Sequence, residues 1–380
     1  MAANRLRCLL GTVALCVAIA QASAREPATN PYSPRYAHPY RHGAVPTRDA
    51  ALRMRAWIAA RRAASTASNL TLSYDGTIDD IGVTSGTPKV YLVVYGSQWG
   101  AAGVDADGNV TLAGDTFGAV PFLQRLFKGI GSGGELWSGT VTQYCDGPLV
   151  AHGSTSCPAG AAHIGYPAGG AFAGIWYDNA AASPSQSTGK QLAEEAIAAA
   201  AHFGNVTAAA NRYAQYVILS PPGTNPDGFN LPTSDFCSWH DYNGDATLPG
   251  GPTTSAYGDI AFTNLPYLPD AGVSCGAHAV NAGTAGDLDG VSLVAGHEYA
   301  ETLTDPVLGG WYNQTGDPVY NYAEIADECD GTLGPAGFNA NVTLGARTFA
   351  MQSLWSNDTQ ACEISHAIVY SDPIFADGFD

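Results

Sequence analysis

Residues 297–305 combine strongly polar side chains with small and apolar neighbours, and this combination limits how the chain can fold. The stretch is His-Glu-Tyr-Ala-Glu-Thr-Leu-Thr-Asp, and a run of small and aliphatic residues precedes it. On an α-helix, residues i and i+4 share a face, so His297 and Glu301 point the same way and Asp305 follows one turn further on. A helix this apolar is predicted to be buried, and buried charges are rarely found unless they are paired or bound to a metal.

The same spacing is that of a metal-binding helix. In the HExxH motif of metalloproteases, two ligands at i and i+4 bind zinc, and the glutamate after the first histidine acts on a water molecule held by the metal. Here Glu301 stands in place of the second histidine, which makes the motif HExxE. We predict zinc bound by His297 and Glu301, with Glu298 as the general base. Calcium held by the same carboxylates and an ordinary charged helix face are the alternatives.

A second acidic cluster follows this helix after a loop that contains glycines. In the gluzincin class of metalloproteases, the third zinc ligand is a glutamate on a later element, with an aspartate nearby that orients a histidine ligand. Glu324 and Asp327 resemble that pair, although their spacing is one residue tighter. Glu324 is therefore the favoured third ligand, and Asp305 or Asp327 could take its place.

The start of the chain predicts export. Arg5 and Arg7 precede an apolar run over residues 9–20, and the small residues 22–24 form a cleavage site. These are the parts of a secretory signal peptide, assigned here to residues 1–24. Its apolar run is too short to span a membrane, and no later apolar stretch is longer, so we expect a secreted, extracellular or periplasmic protein without a membrane span.

Cysteine usage agrees with export. Two of the eight cysteines fall within the signal peptide, and the remainder are Cys145, Cys157, Cys237, Cys275, Cys329 and Cys362. An even number in an exported chain predicts three disulfides. Many connectivities are open, and pairing of successive cysteines is the simplest. Zinc bound by thiolates is the alternative, but the chain has no CxxC spacing.

Charge divides the chain into unlike parts. Residues 25–62 hold eight arginines and two acidic residues, whereas the rest of the mature chain holds six basic and 32 acidic residues. We assign residues 25–68 to an Arg/Pro-rich leader or propeptide that the acidic body attracts, and residues 48–64 within it could form a helix. Nucleic acid is an unsuitable partner, because the acidic body would repel phosphates.

Apolar runs predict alternating strands and helices in the body, residues 69–365, which we take as a single catalytic-type domain. Strands are predicted over residues 90–95, 137–144 and 216–219, and helices over residues 120–130 and 189–203. This alternation favours an α/β (α+β) fold, in which helices cover a mixed sheet and disulfides hold the loops. Residues 366–380 are assigned to a C-terminal tail.

His240 and Asp241 form a second polar candidate beside Cys237. His240 could supply a substrate contact or donate to an oxyanion, and support of the nearby disulfide is the structural alternative.

Residues 286–296, Gly-Asp-Leu-Asp-Gly-Val-Ser-Leu-Val-Ala-Gly, together with residues 304–306 and 310–312, resemble the C-terminal signature of the phosphate-induced, exordium-type secreted proteins. The resemblance implies an exported relative of that family. Plant members of the family are extracellular, growth-linked proteins with no assigned enzyme activity, and they lack the His-Glu pair found here. The C-terminal residues 372–380 resemble short tails on exported proteins of Gram-negative bacteria, which favours a bacterial origin.

The sequence thus predicts a secreted, zinc metallopeptidase-like hydrolase acting on a protein or peptide. The alternative is a non-catalytic extracellular or cell-wall-associated binding protein with a structural calcium site. A glycosidase with a pair of carboxylates is a minor alternative, since tryptophans could line a sugar groove. The chain has no GxSxG, GxGxxG or Walker A motif, so serine hydrolases of the α/β type and nucleotide-binding proteins lack support.

Overall fold

A computed structural model describes residues 30–62, 69–316, 320–330 and 337–370. The assigned signal peptide and residues 371–380 of the assigned tail lie outside these described residues. The helices are α1 (Arg48–Arg62), α2 (Ala119–Gly129), α3 (Gly189–His202), α4 (Ala208–Asn211) and α5 (Asp289–Thr304). The strands are β1 (His42–Pro46), β2 (Ser73–Tyr74), β3 (Lys89–Tyr95), β4 (Ala102–Val104), β5 (Val110–Leu112), β6 (Cys145–Asp146), β7 (Ala162–His163), β8 (Phe172–Asp178), β9 (Ala214–Leu219), β10 (Phe236–Tyr242), β11 (Ala261–Leu265), β12 (Trp311–Tyr312), β13 (Asn339–Leu344), β14 (Arg347–Gln352), β15 (Leu354–Ser356) and β16 (Ala361–Glu363).

A six-stranded mixed sheet forms the centre of the fold, in the order β1-β10-β11-β9-β3-β8. Strands β8, β3, β9 and β11 pair in parallel, while β10 is antiparallel to both of its neighbours. The middle strands β3 and β9 are almost continuously apolar and buried, as strands covered on both faces should be. This confirms the predicted fold class of a mixed sheet covered by helices.

Helices cover the two faces of this sheet. Gln215 of β9 donates to Thr302 Oγ1 of α5 over 2.8 Å. The next residue, Tyr216, instead stacks on Tyr91, whose ring packs against Phe203 directly after α3. Successive side chains of a strand point to opposite faces, so α5 and α3 lie on opposite sides of the sheet.

Most predicted elements lie within one or two residues of observed ones, but the strand predicted over residues 137–144 is wrong. That stretch holds a 3-10 helix at Thr140–Gln143. Its apolar and polar residues alternate, yet Thr140 and Thr142 are as fully buried as Trp137 and Val141. The alternation therefore does not separate an inner from an outer face, which is the premise of the strand prediction.

The arginine-rich segment is packed into the fold as far as it is described. Strand β1 pairs with β10 and places His42 opposite His240. Just before it, the buried Arg41 forms an ion pair with Asp227 at 2.7 Å and lies over the ring of Phe236. Part of the segment assigned to a leader is thus packed against the body, and the domain boundary at residue 69 stays a prediction. Removal of this segment as a propeptide stays a prediction.

Among the described residues, three disulfides link separate segments of the fold: Cys145–Cys157, Cys237–Cys275 and Cys329–Cys362. These are the pairs of successive cysteines that were the simplest expectation. They fit an exported protein, because disulfides form and persist in oxidising compartments. Within the described ranges, no helix combines the length and the apolar character needed to cross a membrane.

Glu195 of α3 makes stability depend on pH. Its side chain is only 6% exposed, and burial followed by the charge of Asp178 raises its pKa from 4.5 to about 8. The folded state therefore binds this proton more tightly than the unfolded state does. The tighter binding of this proton stabilises the folded state fully below about pH 4.5, and this stabilisation is lost as the pH rises through 8.

We expect Glu195→Gln to unfold like wild type at pH 5 but to be more stable at pH 9, by roughly 1–3 kcal/mol. Urea unfolding at the two pH values measures this difference. Glu194→Gln is the matched control, because Glu194 is a half-exposed neighbour on the same helix. An equal gain for both variants at pH 9 would contradict the role of burial at Glu195.

Candidate metal centre

Helix α5 is buried along its whole length, including its charged residues. His297 and Glu301 are 0% exposed and Glu298 is 1% exposed. The helix ends at Thr304 because Asp305 precedes Pro306, and the proline ring disfavours the helical conformation at the residue before it. Asp305 is therefore not one further turn of the same helix face, as the spacing had predicted.

His297, Glu301 and Asp327 converge, with one potential ligand atom of each within 4.8 Å of the others. Nε2 of His297 lies 2.9 Å from Oε2 of Glu301 and 3.6 Å from Oδ1 of Asp327. The latter distance is too long for a hydrogen bond. It suits two ligands of one ion, because bonds of about 2.1 Å in a tetrahedral zinc site separate the ligands by about 3.4 Å.

Glu301 and a disulfide hold Asp327 in place. Oε1 of Glu301 accepts hydrogen bonds from the backbone N–H groups of Ala326 and Asp327. Asp327 begins a short 3-10 helix that ends at Cys329, which is bonded to Cys362. One oxygen of Glu301 is thus used to position the loop, while the other faces His297.

Gln352 of β14 orients the His297 ring. Its Oε1 lies 3.2 Å from Nδ1 of His297, and its Nε2 donates to the carbonyl of Ala326 over 2.6 Å. Because the amide nitrogen is already engaged, the amide oxygen faces the ring and accepts from Nδ1–H. In the neutral form of the ring, Nε2 is then the acceptor nitrogen and faces Glu301 and Asp327, which is the arrangement that a metal-binding histidine requires.

A second group shares Glu301 with the first. His240, Glu298 and Glu301 also offer ligand atoms within 4.8 Å of one another. Nδ1 of His240 lies 3.3 Å from Oε2 of Glu298, and its Nε2 lies 3.5 Å from Oε2 of Glu324. His240 is fully buried and contacts the candidate base directly. Glu324 lies on the His240 side of the cluster, and Asp327 lies beside His297.

Asp305 has a different position from the other acidic residues. Its Oδ1 accepts from the backbone N–H of Gly310 over 2.8 Å, and its carbonyl oxygen lies 3.2 Å from Nε2 of His240. Its side chain therefore supports the loop after α5, and its backbone contacts the cluster.

Burial dominates the electrostatics of the cluster. It raises the pKa of Glu298 and Glu324 far above the usual range and brings the pKa of Glu301 to about 7. Burial also opposes the charged form of His297, but the charges of Glu301 and Asp327 outweigh it and raise the pKa of that imidazole. Burial lowers the pKa of His240, so its imidazole stays neutral. Without a cation, the carboxyl groups keep protons that a bound cation would replace.

The donor atoms fit a cation. Within the described part of the chain, Oε1 of Glu298 and Oε2 of Glu324 are buried without a hydrogen-bond partner. Nε2 of His297 and Oε2 of Glu301 lie 2.9 Å apart, but their contact does not have the geometry of a regular hydrogen bond. Carboxylate oxygens and an imidazole nitrogen are ligands that zinc accepts. A metal ion between His297 and Glu301 would satisfy the last two of these atoms.

Strand β1 lies directly over the cluster. Gly43 has a φ of +53°, and a Cβ atom there would lie 1.9 Å from Oε2 of Glu301 and 2.8 Å from the His240 ring. A cavity of about 80 Å³ beside it is lined by Arg35, His42 and Glu324 among others. A larger cavity of about 550 Å³ next to α1 reaches Gln352.

Sequence reasoning missed the parts of the site that come from distant segments. Gln352 is the last residue of strand β14, which carries no motif, so no local pattern identifies it. Gly43 follows His42 in a segment treated as a leader, and a glycine inside an otherwise apolar strand is the available signal.

Comparison with known proteins finds a relative that matches part of this chain. A stretch of 91 residues is 32% identical to Protein EXORDIUM-like 5 of Arabidopsis thaliana. It covers 20% of this chain and 24% of the plant protein, so the match spans about a quarter of that relative. No protein-family model and no solved structure matches the chain. The expected exordium-type resemblance is thus supported over part of the sequence.

Gly43→Ala should destabilise the protein by more than the backbone strain alone requires. Strain at a positive φ costs about 1 kcal/mol, and the contact with Glu301 adds roughly 1–3 kcal/mol of overpacking. Urea unfolding of the variant gives the total.

Gly108→Ala is the matched control. Gly108 also has a positive φ, of +76°, but an added Cβ there would meet nothing within 4 Å. Equal losses for the two variants would show that β1 does not press on Glu301.

Proposed function

We propose that this chain is an exported, metal-dependent hydrolase of the zincin type that acts on proteins or peptides. The observation that carries this proposal is the convergence of His297, Glu301 and Asp327 beside Glu298, inside the core. His297 and Glu301 come from one helix face, and the third ligand comes from the later acidic loop. Of the candidates for that third position, Asp327 is favoured over Glu324, because it lies with His297 and Glu301.

The zinc ion would polarise a water molecule and stabilise negative charge on the substrate carbonyl oxygen. Glu298 would take a proton on Oε1, the oxygen that has no hydrogen-bond partner within the described residues. His240 contacts the other oxygen through Nδ1 and would hold the carboxylate in position. His240 is therefore a positioning residue in this proposal, rather than the substrate contact expected from the sequence.

Substrate access requires a change at the segment that covers the site. The ligand side chains are buried, and a catalytic zinc site needs an open position for water and substrate. Strand β1 lies against the cluster at Gly43, and Arg35 lines the small cavity beside it. We infer that displacement or removal of residues 30–46 would open the cluster, which agrees with the predicted role of this segment as a propeptide or latch.

Complete burial favours one other candidate function. A structural metal site is closed, and the ligand set His297, Glu301 and Asp327 is closed in this structure. In that case the protein would be a non-catalytic extracellular binding protein, with calcium or zinc holding the loop of Asp327 to α5. The partial match to an exordium-like plant protein is compatible with such a role.

Metal content and Glu298→Gln separate the two functions. We expect His297→Ala to contain one zinc ion per chain fewer than wild type, as measured by elemental analysis of the exported protein. Glu298→Gln should keep its zinc and its unfolding midpoint but lose hydrolysis of a peptide library by ~10²–10⁴-fold, the usual contribution of a general base.

Glu194→Gln, on the far helix α3, is the control for a change of the same type at an exposed site. The assay is run before and after limited proteolysis of the exported protein, because the covering segment is expected to block substrate. Equal hydrolysis by wild type and Glu298→Gln would overturn the enzymatic proposal. Calcium without zinc, with no hydrolysis in either state, would establish the closed structural site.

A further inference from the structure

Next to the α5 cluster, a separate polar group joins strand β1 to the end of β10. His42, Asp241 and Asp245 each offer a ligand atom within 4.8 Å of the others. His42 comes from β1, Asp241 from β10 and Asp245 from the loop that follows. Their relative exposures are 7%, 0% and 6%.

The geometry is that of ligands rather than of hydrogen-bonded partners. Nε2 of His42 lies 3.6 Å from Oδ2 of Asp245, which is beyond hydrogen-bonding distance. It is close to the separation of about 3.4 Å expected between two ligands of a tetrahedral ion.

Unpartnered atoms are directed at this group. Nε2 of His42 and Oδ2 of Asp241 are buried and have no hydrogen-bond partner in the described residues. The other oxygen of Asp241 accepts from the backbone N–H of Tyr242, and Asp245 accepts from Thr247. Each carboxylate is thus anchored at the backbone, and Asp241 keeps one oxygen free.

Charge supports the same conclusion. Asp241 and Asp245 are buried close together, and a cation between them would offset the repulsion of their carboxylates.

We propose that His42, Asp241 and Asp245 form a second site for a divalent transition-metal cation such as zinc, distinct from the site on α5. An imidazole ligand together with two carboxylates suits zinc better than calcium, which prefers oxygen ligands alone. A metal here would bind β1 to the β10 loop and so hold the covering segment over the α5 cluster. This inference does not depend on the proposed hydrolase function.

The test is zinc stoichiometry on the full exported chain, loaded with zinc and freed of excess by gel filtration. We expect two zinc ions in wild type and one in either His42→Ala or Asp241→Asn. The second variant keeps the size of the side chain and its acceptor for Tyr242, so it guards against a loss caused by misfolding. His152→Ala is the control, because His152 is exposed and pairs with Asp75 at the surface.

The outcomes separate this site from the one on α5. One zinc ion lost in His42→Ala and in Asp241→Asn, with one ion retained in His297→Ala and none lost in His152→Ala, supports the second site. Zinc content unchanged in both His42→Ala and Asp241→Asn overturns it. A wild-type chain whose only zinc is lost in His297→Ala and kept in His42→Ala also overturns it and leaves the proposed hydrolase site intact. A folded wild-type chain without zinc overturns both.

Discussion

Burial of the charged face of α5 is the constraint on which the rest of the structure depends. Taking an ionised carboxylate out of water costs several kcal/mol unless a partner or a cation offsets the loss. The helix carries His297, Glu298 and Glu301 into the core, so other segments must bring compensating groups to it. The loop of Asp327, strand β14 and strand β10 each bring a polar group to this face, and the Cys329–Cys362 disulfide fixes the loop of Asp327.

The covering strand shows how far this constraint extends. Because Gly43 has no side chain, β1 can lie against Glu301 and exclude water from the cluster. Exclusion of water strengthens the electrostatic interactions inside and also closes the route for a substrate. The same strand carries His42, whose imidazole faces Asp245 of the loop after β10. A further polar group thus connects the covering strand to this loop.

Much of the fold could be predicted from local patterns. The buried strands β3 and β9 are continuous apolar runs, helices α2 and α3 have apolar residues at helical spacing, and α5 is apolar enough to be buried. The cysteines pair with their neighbours. The prediction was wrong where both faces of a segment are buried, at residues 137–144, and where Pro306 ends α5 before Asp305. At residues 137–144, packing on both faces decides the conformation. At Asp305, the following proline restricts the backbone. The spacing of apolar and charged residues records neither effect.

The sequence by itself determined that His297, Glu298 and Glu301 share one helical turn, because helical spacing is a local property. It also determined that this helix is apolar enough to be buried. Only the tertiary structure decided that Asp327, and not Glu324, lies with His297. The same holds for Gln352 and for strand β1, since their contacts join segments far apart in the chain. Which distant groups meet depends on the packing of the whole sheet and its loops, and no local spacing records it.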